Sequence, residues 1–349
     1  MTIIIFLFLL FTLVTARYTQ NNEDYLSKRY TNIIKGFFLF FVFIRHFLQY
    51  NLPFDNNWYD SIGMKLNSKL GQLIVVMFLF YSGYGIMESF KKKGEKYVDG
   101  IPKKRIFNTW FHFAIAVFIY MIASQYFITH DFSIKKIVLA FIGWDSFGNS
   151  NWYIFTIIIL YFITYLSLKS FKDKKHILAS MFLGTLLFTK ILSFYKDGYW
   201  YNTAFCFTLG SVISMYKEDI EKWLTNKELI SLVYAIFLFI IAYVLRKNII
   251  WYHISTCAFA IIVLLVTRKI QIKNIALEWM GKNLFPLYIF QRLPMMLLNK
   301  IEYIHNSPYL FFVIAAIATI GIAIIYNCVM HISGKLYNKI KEKKAKCLP

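Results

Sequence analysis

Residues 30–50 read YTNIIKGFFLFFVFIRHFLQY, and this stretch decides the fold. It is a nearly unbroken apolar run of the length that a helix needs to cross a bilayer. Hydrocarbon offers no partner to a free backbone N–H or C=O, so only helices and closed barrels span membranes. The run lacks the period-2 alternation of a barrel strand, which favours a helix. Ten other apolar runs lie at 2–16, 70–90, 105–128, 152–169, 177–195, 200–216, 229–245, 250–267, 283–298 and 309–331.

These runs predict an all-α membrane protein, a helical bundle of about ten or eleven transmembrane helices. The composition agrees: 58% of the 349 residues are hydrophobic, and 16% are charged against roughly 25% in a soluble domain. The length would fit two soluble domains, but the runs indicate one membrane domain. We expect an N-terminal anchor and loop at 1–29, a membrane domain at 30–332 and a basic tail at 333–349.

Two segments do not fit the simple pattern. The first run lacks a preceding basic region and a following A-x-A site, so an uncleaved anchor is favoured over a signal peptide. Residues 137–144 are too few to cross and are interpreted as a re-entrant or interfacial piece. His130, His176 and His305 are expected in loops between spans.

Lysine and arginine predict the orientation. If the segment after Arg17 faces the cytoplasm, cytoplasmic stretches hold 27 of the 39 basic residues and the outer side holds nine. The other three, Lys35, Arg45 and Arg292, lie inside spans. Positive residues concentrate on the cytoplasmic side, so both ends of the membrane domain are expected there. Topology and anionic lipid account for the net charge of +21, and nucleic acid is not an expected partner.

Familiar catalytic and metal motifs are missing from the sequence. The four cysteines form no C-x-x-C pair, and no H-E-x-x-H, G-x-S-x-G or Walker phrase occurs. We therefore expect no metal site and no soluble catalytic domain. Any chemistry must use residues in or near the spans.

Ionisable groups within spans are costly and are candidates for function. Lys35 and His46 lie eleven positions apart, about 16 Å along a helix and on nearly the same face. Arg45 points elsewhere and can extend toward the interface. In one interpretation a cation near the cytoplasmic mouth and a deeper imidazole line one surface. In the other, Lys35 and His46 mark the two membrane boundaries.

The next span contains FLFYSGYGI at residues 78–86. Two glycines beside Ser82 permit close packing of helices or close approach of a ligand to the backbone. Taken alone, the pattern favours packing. Glu88, which follows, is interpreted as a partner for nearby lysines.

Together these phrases resemble the acyltransferase-3 family of bacterial membrane acyltransferases. The family's first core helix carries a basic residue, ten intervening residues and a histidine, as Lys35 and His46 do here. Weaker matches follow in the family's order, over about residues 25–332: FLFYSGY at 78–84, KKR at 103–105, NWY at 151–153 and FPLYIFQ at 285–291.

Four positions depart from the family pattern. Asn32 stands where an acid is common, and Gln291 stands where a late histidine is common. Lys35 replaces the usual arginine and loses its bidentate fork. Asn108 stands where the second arginine of a cytoplasmic R-x-x-R phrase would follow Arg105. These departures bear on the detailed chemistry more than on the fold.

The resemblance implies an O-acyltransferase of the bacterial cytoplasmic (inner) membrane, and an acetyl group is the favoured acyl group. Such an enzyme transfers an acyl group from acyl-CoA to a hydroxyl of a cell-envelope or capsular glycan. It needs acyl-CoA as co-substrate, a glycan acceptor and membrane lipid, and no bound cofactor. The acyl group, the glycan and the oligomeric state stay open.

The resemblance also implies roles for individual residues. His46 would be the general base or a transient acyl carrier. Cations suit the phosphates of CoA, and those expected to bind them are Lys35, Lys104 and Arg105. The polar residues expected to orient sugar or thioester are Ser82, Tyr84, Asn151 and Tyr153. Trp58, Trp144 and Trp152 suit sugar rings, but the aromatic belt of the interface is the favoured interpretation for each.

Other functions use the same residues differently. A transporter or flippase for a glycan or acyl carrier would line its path with them, and His46 would serve proton coupling. The sequence shows no convincing internal repeat of the kind common in transporters. A glycan polymerase and a purely structural membrane protein are the remaining alternatives.

Overall fold

Helices make up almost all of the secondary structure in the computed structural model, which describes residues 1–50, 52, 54, 58–127 and 132–346. His130 and Cys347 lie outside the described residues. In chain order the helices are α1 (Thr2–Val14), α2 (Lys28–Phe47), α3 (Trp58–Leu70), α4 (Leu73–Lys93), α5 (Glu95–Ile101), α6 (Asn108–Phe127), α7 (Ile134–Phe141), α8 (Trp152–Ser170), α9 (Lys174–Leu192), α10 (Phe205–Met215), α11 (Lys217–Leu224), α12 (Glu228–Val244), α13 (Ile249–Lys269), α14 (Ile275–Lys282), α15 (Leu284–Phe290), α16 (Arg292–Leu298), α17 (Glu302–His305) and α18 (Pro308–Lys346).

Shorter elements connect them. A π-helical turn at Pro102–Phe107 joins α5 to α6, and 3-10 turns lie at Leu48–Tyr50 and Gly198–Trp200. Strand β1 (Ala16–Tyr18) pairs antiparallel with β2 (Ile270–Ile272), with Arg17 opposite Gln271. This ribbon, which no sequence pattern indicates, joins the segment before α2 to the end of α13.

The all-α membrane fold is confirmed. Within the described residues, seven helical stretches are long and apolar enough to cross a membrane, and an eighth results if α11 and α12 count as one span bent by 105°. The seven contain α2, α4, α6, α8, α9, α13 and α18, each at a predicted run. α18 extends into the stretch predicted as a basic tail, as far as Lys346.

The other predicted runs are helical but shorter. α1 has 13 residues and α10 has 11, or about 16 Å of length for α10. The run at 283–298 is broken into α15 and α16 at Gln291. Pro294 has no N–H to donate to the carbonyl four residues earlier, which explains a break at this point. His176 lies in the first turn of α9 rather than in a loop.

Two pairs of glycines bring helices into backbone contact. A Cβ built on Gly83 of α4 would lie 1.9 Å from the Phe207 carbonyl oxygen, and one on Gly210 of α10 would lie 2.0 Å from the Phe80 carbonyl oxygen. Gly36 of α2 and Gly281 of α14 meet the backbone of the facing helix in the same way. The packing interpretation of Gly83 is therefore confirmed.

α2 runs through the middle of the bundle and most of its residues are buried. Its first turn is capped by Ser27, whose side chain accepts a hydrogen bond from the Tyr30 amide at 3.2 Å. The end of the bundle where α2 begins is called the Lys28 end below, and the opposite end is called the His46 end.

A polar network ties the Lys28 end together. Arg268 donates to Glu228 at 2.8 Å and to the Tyr25 hydroxyl at 3.2 Å, and Tyr25 donates to Glu221 at 3.0 Å. Burial, with the nearby Glu221 carboxylate, raises the pKa of Tyr25 to about 12. These bonds fix the segment before α2 against α11, α12 and α13.

At the His46 end, the chain after α7 folds back toward α2. Gly143 adopts a φ of +82°, a conformation that favours glycine. Asn151 then donates to the carbonyls of Gly143 at 2.8 Å and Asp145 at 2.9 Å. The returning loop places Ser150 beside His46, in agreement with a short piece that does not cross.

Candidate functional site

Three cavities lie along α2. The His46 cavity has a volume of about 540 Å³, the Ser82 cavity about 440 Å³ and the Arg105 cavity about 670 Å³. Tyr288 lines both the His46 cavity and the Ser82 cavity. Lys28 and Lys35 line both the Ser82 cavity and the Arg105 cavity. Adjacent cavities therefore share walls, and together they follow α2 from the Lys28 end to the His46 end.

His46 is buried, with 8% of its surface exposed, in the wall of the His46 cavity. Its Nε2 lies 3.5 Å from the Ser150 hydroxyl oxygen. Its Nδ1 has no hydrogen-bond partner among the described residues. The Tyr288 ring lies 6.2 Å from the imidazole, centroid to centroid. Among the described residues, the imidazole is thus held by packing and by one hydroxyl, and no carboxylate orients it.

Polar side chains gather around the Ser82 cavity. The Ser82 hydroxyl donates to the Phe78 carbonyl at 2.8 Å and interacts with the hydroxyls of Tyr153 and Tyr161. The Tyr153 ring contacts Tyr288 at 5.4 Å between centroids. Ser82 and Tyr153, both predicted from sequence, therefore lie together, and the ring of Tyr288 leads from them to His46.

The Arg105 cavity is basic. Its cationic lining residues are Lys28, Lys35, Lys92, Lys93, Arg105 and Lys217, against two acids, Glu23 and Glu88. Arg105 donates from Nε to the Tyr97 hydroxyl at 3.1 Å, which fixes the guanidinium group. Glu88 pairs with Lys91, as expected, and accepts a hydrogen bond from Ser214 at 2.8 Å. The positive charge of this pocket clearly exceeds the negative charge.

The structure separates some residues that the sequence grouped. Lys104 is exposed and lines none of the three cavities. Tyr84 lines the Arg105 cavity, and Asn151 lines the His46 cavity at the other end of α2. The four residues expected to orient substrate thus lie in three different cavities. Gly85 also lines the Arg105 cavity, where a Cβ would meet nothing within 4 Å.

A fourth depression, the Lys196 cleft, has a volume of about 560 Å³ and shares Ser146, Asn151 and Tyr199 with the His46 cavity. Lys196 Nζ lies 4.3 Å from the Trp144 ring centroid and 4.5 Å from that of Trp200. It also donates to the Trp144 carbonyl at 2.7 Å. Burial lowers the pKa of Lys196. The cleft therefore combines aromatic faces with a fixed ammonium group.

The two other tryptophans considered from the sequence, Trp152 and Trp58, differ in their relation to the cavities. Trp152 lines the His46 cavity, and its ring packs against Tyr199 at 6.3 Å between centroids. Trp58 is 75% exposed and lines none of the cavities described above. Of the three tryptophans considered from the sequence, Trp144 and Trp152 thus line a cavity, and Trp200 joins Trp144 in the Lys196 cleft.

Several lining residues were missed as site candidates in the sequence. Ser150 comes from a loop 104 residues beyond His46, and nothing in the sequence indicates their contact. Tyr288 lies in the late family-like phrase, which was a usable signal. Arg292 and Gln49 meet in the His46 cavity, where Arg292 Nη1 donates to Gln49 Oε1 at 2.9 Å. The sequence places Arg292 inside a span but does not indicate that it lines a site.

A multi-span helical bundle with a line of polar cavities inside it defines a membrane protein with an internal site. Residues 28–328 match the model of the acyltransferase-3 family, described as an acyltransferase domain. Because this match covers most of the chain, the protein belongs to that family and is a multi-pass membrane acyltransferase. No curated protein and no solved structure matches the chain.

Proposed function

We propose that the protein transfers an acyl group, acetyl in the simplest case, from acyl-CoA to a hydroxyl of a cell-envelope or capsular glycan. The observation that carries this proposal is the row of three adjoining cavities along α2, which share lining residues. One end of the line is strongly basic and the other contains a buried imidazole. A donor with a charged head and a long arm ending in a thioester suits that arrangement.

The basic end suits the phosphates of CoA. Phosphate oxygens bind best to charge-assisted donors, and the guanidinium group of Arg105 is already fixed by Tyr97. Lys35 projects from α2 at the boundary with the Ser82 cavity. It suits a phosphate next to the arm. Lys104, being exposed, would contact the donor only at the rim.

The transfer step needs a base. His46 Nε2 takes the proton of the acceptor hydroxyl as its oxygen attacks the thioester carbonyl. The new C–O ester bond forms, the C–S bond breaks, and the departing thiolate of CoA takes the proton back from the imidazole. Ser82, Tyr153 and Tyr288 lie along the path of the thioester, where a hydroxyl can donate to the carbonyl oxygen as negative charge develops.

His46 can alternatively accept the acyl group and pass it on. The two routes differ when no acceptor is present. An acyl-imidazole intermediate releases one equivalent of CoA in a burst, whereas a general base releases none. A rapid-quench measurement of free CoA separates them.

The acceptor would enter from the His46 end. The Lys196 cleft adjoins the His46 cavity and presents Trp144 and Tyr199, flat rings of the kind that stack against sugars. The carboxylates of Asp145 and Asp197 in the same cleft can accept hydrogen bonds from sugar hydroxyls. Asn151 would hold in place the loop that carries Asp145, through its hydrogen bonds to the carbonyls of Gly143 and Asp145.

This direction of entry matches the basic-residue asymmetry. The Lys28 end would face the cytoplasm, where acyl-CoA is made, and the His46 end would face outward from a bacterial inner membrane. The C-terminal end of α18 would then be cytoplasmic.

The experiment supplies membranes containing the protein with radiolabelled acetyl-CoA and with envelope glycan extracted from cells that lack it. We expect label to appear in alkali-labile esters on the glycan. Glycan movement across the membrane without acyl-CoA, and without label transfer, would instead support a transporter and contradict the proposal.

A further inference from the structure

The His46 cavity contains two positive charges that no acid balances. Arg45 and Arg292 both line it, and none of its described lining residues is Asp or Glu. Neither arginine forms an ion pair with any residue that the structure describes. The sequence predicts that Arg45 extends toward the membrane interface. In the structure Arg45 instead lies in the wall of the His46 cavity, so its charge is close to His46.

Arg292 has more hydrogen-bond donors than it has partners among the described residues. A guanidinium group has five N–H donors. Arg292 Nη1 donates to Gln49, the Tyr50 side chain also interacts with Arg292, and among the described residues Arg292 Nε is buried without a partner. A partly buried cation with unused donors needs acceptors from water or from a ligand, and its buried Nε favours a ligand that reaches into the cavity. The ligand groups that fit a guanidinium best are carboxylates and phosphates, which accept two hydrogen bonds at once.

The neighbouring cleft has a different charge. The Lys196 cleft contains two acids, Asp145 and Asp197, and its ammonium group is held between two tryptophan rings. An anion would therefore be repelled in the cleft and attracted in the His46 cavity. The two adjoining sites would suit a ligand that is anionic in one unit and uncharged in the next.

We infer that the acceptor unit that reaches His46 is anionic, a sugar carrying a carboxylate or a phosphate, and that Arg45 and Arg292 bind that anion. This inference rests on the proposed function. The phosphates of CoA are assigned to the Arg105 cavity at the other end of α2, which leaves the arginine pair free for the acceptor. An uncharged, hydroxyl-bearing unit of the same glycan occupies the Lys196 cleft.

The test uses the full-length protein in phosphatidylcholine nanodiscs, which contain no anionic phospholipid. Envelope glycan from cells lacking the protein is separated by anion exchange at pH 7 into neutral and anionic fractions. A portion of the anionic fraction is treated with phosphatase and phosphodiesterase and is separated by anion exchange again. Glycan that stays anionic carries carboxylates, and glycan that loses its charge carried phosphates. Each fraction is supplied with radiolabelled acetyl-CoA. We expect label in an anionic fraction at a rate at least about tenfold above the neutral one.

Three variants link the preference to the arginine pair. We expect Arg292→Gln to raise KM for the anionic fraction about tenfold or more, while the Kd for acetyl-CoA stays at the wild-type value. Arg292→Lys should lose less, because it keeps the charge but not the fork. Lys190→Gln removes an exposed charge from the last turn of α9, outside the cavity lining, and should match wild type.

Different failures have different meanings. Equal labelling of neutral glycan, unaffected by Arg292→Gln, overturns the inference and leaves the acyltransferase proposal intact. A large rise in the Kd for acetyl-CoA in Arg292→Gln also overturns it, because the pair would then bind CoA. Label in no fraction contradicts the proposed function, and the inference falls with it.

Discussion

Replacing Gly83 with alanine tests whether α4 and α10 are in backbone contact. A Cβ at this position would lie 1.9 Å from the Phe207 carbonyl oxygen, whereas ordinary contacts begin at 3.4 Å. The oxygen belongs to the backbone of α10 and cannot rotate away as a flexible side chain does. The two helices would have to separate by more than an ångström, which would also disturb the reciprocal contact at Gly210.

Gly85, two residues later, provides a matched control. A Cβ there meets nothing within 4 Å. Both substitutions gain the same helix propensity, about 1 kcal/mol for Gly to Ala, so the difference between them isolates the clash. Overpacking a tight interior costs about 1–3 kcal/mol. Because the contact at Gly83 is with backbone, we expect the upper part of that range.

The assay is thermal unfolding of the two purified variants and wild type in the same detergent, followed by tryptophan fluorescence. Gly83→Ala should unfold at a clearly lower temperature than wild type, and Gly85→Ala at the same temperature or slightly higher. Equal midpoints for the two variants would refute the close approach of α4 and α10. The placement of Ser82 and Tyr84 relative to their cavities would then be wrong as well.

Two further predictions concern the substrate path. Arg105→Gln should raise the Kd for acetyl-CoA about tenfold, measured by equilibrium binding in nanodiscs. Lys103 is an exposed neighbour outside the cavity lining, so Lys103→Gln should bind acetyl-CoA as wild type does. Equal effects of the two substitutions would indicate only general charge attraction. Tyr288→Phe removes one hydroxyl where the His46 and Ser82 cavities meet and keeps the ring that packs on Tyr153. Steady-state rates should show kcat falling by about a hundredfold with donor affinity unchanged, if that hydroxyl stabilises the developing oxyanion; an unchanged kcat would exclude this role.

Helical periodicity explains what the sequence could predict about the site. Lys35 and His46 share a continuous helix, so their spacing of eleven residues fixes their separation and their common face. The structure places both on the cavities along α2. The apolar runs likewise located every described helix that is long and apolar enough to cross a membrane, because run length is read directly from the sequence.

Contacts between distant segments could not be predicted in this way. Ser150 approaches His46 only because Gly143 turns the chain and Asn151 holds the returning loop. Arg292, at the start of α16, lines the His46 cavity together with Arg45 of α2, and no local pattern relates these two helices. Lys104 and Arg105 are adjacent in sequence, yet only Arg105 lines the basic cavity. Each of these outcomes depends on tertiary packing that one sequence does not encode in a local pattern.

In the proposed mechanism, His46 performs the proton transfer at the end of the row of cavities. The most direct measurement compares His46→Ala with His176→Ala, an exposed histidine in the first turn of α9, in membranes supplied with labelled acetyl-CoA and glycan. With equal amounts of folded protein, we expect His46→Ala to lose label transfer by about a hundredfold or more, as removal of a general base does. We also expect that acetyl-CoA binding is kept and that His176→Ala transfers at the wild-type rate. Label transfer by His46→Ala at the wild-type rate would contradict the role of His46 as the base.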